Sequence, residues 1–393
     1  MYYRTIPKPL DIKEMKLSSY VVWANKGGIG KSTLTFQLAC ETATLNPGKK
    51  VLVIDLSPQC DVSRMILGGG HYGGEEVILS IMQTTPRQTV QSYLLECLNS
   101  VPAGLGWPDP RQFIVYPNQL RTPEATALPN NLELLCGDFD LERTIQLIDQ
   151  LPQPPRRFGR APTGPEYSTY LLTRSFLRHV INVLNTQGDY IVLIDTDPYF
   201  NVITTQMGLL AADRWITAYS PSSQASQYAV LRSVEFLYEA NSGLYKTVED
   251  EKAKYPGAWF DNRGNIMQKV DVSTPLPHCL ISNMTTPYAR AGNISYTDPQ
   301  KLHRQTIDEM QADVLAEVSK FNIPMFTYHE YMWNMNRLGL ICDYNGLNLH
   351  SLQVGHKYKQ PGSTRGYPLT DSKNPKAQLE GYQRKLEAIS SLL

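Results

Sequence analysis

The chain has 393 residues, enough to bury one large core or a core with a modest second lobe. Its 37 Lys+Arg offset 37 Asp+Glu, so no overall field draws it to nucleic acid or an acidic membrane, and any such binding needs a local patch. The six cysteines (Cys40, Cys60, Cys97, Cys136, Cys279, Cys342) form no C-x-x-C pair, and no apolar run approaches the roughly 18 residues of a membrane span, which together argue against a zinc site, a disulfide framework or a spanning helix. The N-terminus also lacks the apolar stretch of a signal peptide, so a reduced, cytoplasmic protein is expected.

Residues 1–17 read as a polar arm, and residues 18–393 as one domain with insertions at about 70–128 and 241–274. Tyr20–Ala24 reads as a buried strand that stops at a glycine cluster, and Lys31 to about Leu45 as a helix. Lys50–Asp55 is the next strand, closing a β-loop-α-β unit of the length a parallel crossover needs. Residues 68–130 read as loops with one or two helices between Val77 and Leu98. Asn131–Gly137 is a further strand, Leu141–Leu151 a helix, Pro152–Pro165 a linker and Tyr170–Leu184 one long helix.

Tyr190–Asp195 is apolar throughout and ends on a carboxylate. Arg214–Tyr219 is another strand, Gln224–Glu239 a helix, 241–274 a polar stretch, and Pro277–Met284 a strand. A helix over 304–320, a short strand near Pro324–Tyr328, a basic glycine-bearing loop at 355–376 and a last helix at 377–393 complete the chain. The pattern predicts an α/β fold, a doubly wound, mainly parallel sheet with helices on both faces and a ligand at the carboxyl ends of the strands.

Lys26-Gly27-Gly28-Ile29-Gly30-Lys31-Ser32 follows a strand and opens a helix, the context in which a glycine-rich run cradles phosphate. Glycines let backbone N–H groups converge on phosphate oxygens, and the helix N-terminus adds its positive dipole end. Lys31 is placed to reach the β- and γ-phosphates, and Ser32 to put its hydroxyl on Mg²⁺. Asp195, at a strand end, is expected to act near that cation. Asp55 also closes a strand, in either a functional or a turn-forming role.

At these residues the chain resembles the ParA/MinD family of dimerising ATPases, whose deviant Walker A loop reads K-G-G-x-G-K-[ST] and stands here as KGGIGKS, followed by Thr33. The resemblance extends to VLVIDLSPQCDVS at 51–63, NLELLCGDFDLE at 131–142 and YIVLIDTDPYFNVITTQMGLLAADRWITAYSPS at 190–222. It implies ATP and Mg²⁺ as ligands, a homodimer in the ATP state, and Lys26 reaching the partner's phosphates. Lys26, Lys31, Asp55 and Asp195 are then the catalytic set, Gly27 to Thr33 the phosphate cradle with Ile29 within it, and Asn283 the group that meets adenine. It further implies an adaptor or cargo protein, with a cargo such as plasmid DNA or a large complex positioned or segregated.

One departure bears on turnover. The family's second aspartate in D-x-D-P-Q is replaced by Ser57, and a hydroxyl cannot serve as a carboxylate base near neutral pH. Slow hydrolysis is expected, or hydrolysis completed by Asp61 or Asp197; the alternative is a nucleotide-bound interaction subunit with little turnover. A metabolic P-loop enzyme would not need Lys26, and an iron–sulfur reductase would need a second cysteine beside Cys136.

The tail carries Lys357, Lys359, Arg365, Lys373, Lys376, Arg384 and Lys385. These are either a non-specific DNA patch over 357–385 or, with Asp371, Glu380 and Glu387 among them, a solvated face. Leu379, Tyr382, Leu386, Ile389 and Leu393 make a helical stripe expected to pack on the core rather than lie on a membrane. The scattered histidines show no metal-ligand spacing.

Overall fold

The computed structural model describes residues 19–154, 165–200, 202–290, 293–369 and 375–393. The expected arm over 1–17, most of the linker at 152–165, and Lys373 lie outside the described residues.

Seven strands form one sheet: β1 (Ser19–Val22), β2 (Lys50–Asp55), β3 (Leu132–Leu135), β4 (Tyr190–Asp195), β5 (Arg214–Tyr219), β6 (Leu276–Thr285) and β7 (Tyr328–Trp333). Their spatial order is β7-β6-β5-β1-β4-β2-β3, and every pairing is parallel. Successive side chains of a strand point to opposite faces, and the cores divide accordingly. Val21, Trp23, Leu52 and Ile54 join one core; Tyr20, Val22, Val51 and Val53 join the other. Both faces are covered by helices, which is why the central strands read as continuous apolar runs. Each fully buried Leu, Ile or Val contributes about 1.5–3 kcal/mol, so the two cores fix the strand ends on which the polar loops stand.

The helix Lys31–Leu45 packs on the second core beside the last helix, Pro375–Ser390. The stripe of that last helix is buried at Leu379, Tyr382, Leu386 and Ile389, as its spacing predicts. Residues 68–130 are tied down by a buried cation: Arg121 donates to the carbonyls of Ile66 at 2.6 Å, Thr126 at 2.8 Å and Gly346 at 2.9 Å. Burial lowers its guanidinium to about 10.

Several elements depart from the sequence expectations. The pattern over 170–184 is two helices, Thr169–Arg174 and Phe176–Gln187, broken where Ser175 Oγ donates back to the Leu172 carbonyl at 2.7 Å. The stretch 241–274 is less polar in effect than in composition. It holds the helix Leu244–Lys254 and a small hairpin, with Leu244, Val248, Trp259 and Met267 buried in the first core. The strand expected near Pro324–Tyr328 lies at Tyr328–Trp333. As an edge strand it is only half-buried along most of its length, so His329 and Glu330 interrupt the apolar run that would have marked it. The basic loop at 355–376 contains an antiparallel hairpin, Lys357–Gln360 with Ser363–Pro368.

Candidate nucleotide site

The loop between β1 and the helix Lys31–Leu45 turns through Gly28 (φ 74°) and Gly30 (φ 76°), left-handed conformations that L side chains rarely adopt. A side chain at Gly30 would also lie 3.1 Å from Asn283 Nδ2. Gly27, Gly28, Gly30, Lys31, Ser32 and Thr33 form one wall of a cavity of about 750 Å³; Ser57 and Asp197 stand on another. Ile29 is buried beneath the loop, and its carbonyl accepts from Asn283 Nδ2 at 2.7 Å. Lys31 is buried and donates to the Lys26 carbonyl at 3.0 Å, whereas the Lys26 side chain is exposed. Burial pushes the Lys31 ammonium down, and the charges of Asp195 and Asp197 oppose that shift.

Asp55 and Asp195 are Cα partners at the ends of β2 and β4, both fully buried. Asp55 accepts from the Ser57 amide (3.0 Å), the Ser63 amide (3.0 Å) and the Ser63 hydroxyl (2.7 Å). Gly137 packs so close to this carboxylate that a Cβ would sit 2.9 Å from Asp55 Oδ2. Asp195 accepts from Thr35 Oγ1 at 3.1 Å through Oδ1, while its Oδ2 is buried without a partner. Burial, and then the charge of Asp55, pushes Asp195 up to about 7, and burial raises Asp55 to about 6. Ser32 lies near enough to Asp195 to hold its carboxyl down.

An orphaned carboxylate oxygen beside a helix-terminal hydroxyl fits a divalent cation. Among the described residues no group of three or more His, Cys, Asp or Glu side chains could hold a metal. The unpartnered Oδ2 of Asp195 and the hydroxyl of Ser32 would suit Mg²⁺, which binds few protein ligands and completes its shell with phosphate oxygens and water.

The loop after β4 is pinned by Trp23, whose indole donates to the Pro198 carbonyl at 3.2 Å, and by Phe200 stacked on Phe236. Ser57 Oγ donates to Asp197 Oδ1 at 2.9 Å, so the residue that replaces the expected aspartate holds a neighbouring carboxylate. Asp61 pairs with Arg64.

A smaller cavity of about 190 Å³ opens on the other side of the loop, lined by Leu34, Asn283, Met284, Met335 and Asn336, among others. Cys60, Met284 and Asn336 are non-glycine residues at positive φ: Met284, near the end of β6, and Asn336 line the smaller cavity, and Cys60 lies between Gln59 and Asp61, which line the larger one.

Residues 20–274 match the family model described as the CobQ/CobB/MinD/ParA nucleotide binding domain. The chain belongs to this family. It is a nucleotide-binding ATPase domain of the ParA/MinD kind, with a seven-stranded parallel sheet. Among solved structures, an ATP complex of a McdA variant from Cyanothece is 15% identical, with 94% of this chain and 96% of that chain covered and a TM-score of 0.50. A putative plasmid partition protein from Borrelia burgdorferi bound to AMPPNP is 15% identical over 94% of this chain and all (100%) of that one, at TM-score 0.42. The pNOB8 ParA bound to nonspecific DNA is 16% identical over 78% of this chain and 76% of that one, at TM-score 0.41. At 15% identity the likeness to the McdA variant is one of fold.

The fold brings Lys31, Ser32, Asp195 and Asp55 of this ParA/MinD-type domain to neighbouring strand ends, and leaves Asn283 on the far side of the loop. Sequence reasoning missed Thr35, Ser63 and Asp343, all of which bond to the site's carboxylates or to its loop. Thr35 and Ser63 had a signal: Thr35 lies one turn into the helix after β1, and Ser63 in the first turn of the short helix Asp61–Ile66 after β2.

Proposed function

We propose that the chain is an ATP-gated switch: it binds ATP–Mg²⁺ in the larger cavity, pairs with a second copy in that state, and through the pair positions a cargo with the help of an adaptor. The observation that carries this reading is the division between the two lysines. Lys31 lies inside the cavity wall, whereas Lys26, whose carbonyl it holds, extends into solvent where a second copy's phosphates could meet it. A cation between Ser32 and Asp195 would neutralise charge on the phosphates. The chain's own groups then divide the work: backbone N–H groups and Lys31 hold the phosphates, and Asp197, steadied by Ser57, orients the attacking water. Burial raises the Asp197 carboxyl and so makes it a stronger base, while the hydroxyl of Ser57 supplies no second carboxylate, which is the ground for slow turnover.

A pairing face near the nucleotide would bring the hairpin Lys357–Pro368 into play, since Pro361 at its tip borders the same cavity. Lys357, Lys359 and Arg384 are exposed and, among the described residues, make no ion pair, whereas Lys376 faces Glu380 and Lys385 faces Glu330. The first three are the ones suited to DNA phosphate, with binding that weakens steeply as salt rises.

The test is sedimentation with ADP and with ATP–Mg²⁺ while phosphate release is followed. An ATP-dependent dimer with slow release is expected, and Lys26→Ala should remain monomeric while still binding ATP. A wild-type monomer that turns over readily would overturn the switch.

A further inference from the structure

The two cavities beside the phosphate loop share Gly30, Thr33, Leu340 and Asp343 in their walls. Asp343 belongs to the helix Arg337–Asn345, far from the loop in sequence. Its Oδ2 accepts from Thr33 Oγ1 at 2.9 Å, while its Oδ1 is buried with no partner. A buried acceptor left unmet is destabilising, and a native structure that carries one asks for a ligand or a reason.

The position is held firmly. A Cβ on Gly69 would sit 2.5 Å from the carbonyl oxygens of Asp343 and Tyr344, the His71 amide donates to the Tyr344 carbonyl at 2.7 Å, and Arg121 holds the Gly346 carbonyl. Burial raises the Asp343 carboxyl to about 6, so it is ionised at neutral pH and above, and acts there purely as an acceptor.

The role of Asp343 rests on the reading that the larger cavity takes nucleoside triphosphate. Phosphate oxygens cannot satisfy Oδ1, because they are acceptors of like charge. The donors on a nucleotide are its ribose hydroxyls and a base amine. Asp343 stands in the wall common to both cavities, where the group linking phosphates to base must pass. We propose that Asp343 is a specificity-determining residue that accepts a hydrogen bond from a ribose hydroxyl through Oδ1 and so favours ribonucleotides over deoxyribonucleotides.

The experiment measures dissociation constants of the full chain for ATP, 2′-deoxy-ATP, 3′-deoxy-ATP and ITP with Mg²⁺ at pH 8. A hydrogen bond to a charged group predicts a preference for ATP over at least one deoxy analogue on the order of tenfold. In Asp343→Ala, ATP should fall to the level of that analogue, while the analogue itself binds nearly as before. Equal wild-type binding of ATP and both deoxy analogues overturns the proposal without recourse to any variant. So does a preference that survives Asp343→Ala, or a loss confined to ITP, which would assign the carboxylate to the base. Failure of all four ligands to bind would instead sink the nucleotide reading, and the ribose assignment with it.

Discussion

The ends of β2 and β4 carry the same signal in sequence, an apolar strand closing on aspartate, and the two aspartates stand opposite each other in the ladder. Their surroundings differ. Three donors from the segment 57–63 converge on Asp55, so its charge is spent on holding that segment against the sheet. Asp195 receives the Thr35 hydroxyl on Oδ1 and has the Ser32 hydroxyl nearby, while its Oδ2 has no partner in the folded chain. One carboxylate is committed to the chain and the other is held ready, and the difference lies in the donors that neighbouring loops and helices supply rather than in the strands themselves.

The sharpest way to break this comparison is to make the same substitution at both sites. Asp195→Asn removes a buried charge whose second oxygen has no partner, so the apo protein should melt higher at pH 8, while Mg²⁺ should lose its effect on ATP affinity by about 10–100-fold. The pH dependence gives the sign independently. Both carboxyls are raised above the ordinary 3.8, Asp55 to about 6 and Asp195 to about 7. The folded state therefore holds protons that the unfolded state has released, and stability present below about pH 4 is lost as pH rises through 6 to 7. The melting temperature of Asp195→Asn should accordingly fall less than that of wild type between pH 5 and 8. An equal fall would mean that Asp195 is not the group titrating there.

At Asp55 the same change should act in the opposite direction. An amide can accept through only one of its two termini, so at least one of three converging donors is left unmet, at about 1–3 kcal/mol. Asp55→Asn should melt several degrees lower, and hydrogen exchange should quicken across residues 57–63. If it melted higher, as expected for Asp195→Asn, the two sites would be equivalent and the distinction would fail.

Legibility in the sequence depended on where each residue's partners lie. The glycine-rich turn Lys26–Ser32 was legible as a strand-to-helix turn because its residues are contiguous, and Asp195 was legible as a strand end because a buried strand closing on a carboxylate is itself unusual. The parallel sheet was legible through its central strands, whereas β7 was obscured by its edge position. Asp343 gave no signal, since its relation to Thr33 spans most of the chain and is created by the fold. Residues 68–130 read as loops with one or two helices, yet Gly69 at their start is where two backbones press together. Ser57 was legible as a departure but not in its consequence, because its partner Asp197 belongs to the loop after the adjacent strand.

The smallest effect is also the finest probe of the comparison. Ser63 donates its hydroxyl to Asp55 Oδ2 and accepts from the buried Gly137 amide at 2.9 Å, so it links β2 to the turn after β3. Ser63→Ala keeps its own backbone N–H on Asp55 but strands the Gly137 amide and removes one donor from the carboxylate. A cost of about 1–2 kcal/mol is expected, with faster exchange of the Gly137 amide and ATP affinity close to wild type. If affinity instead fell in step with stability, Asp55 would be working on the phosphates as well as on the chain, and the two strand ends would share one task.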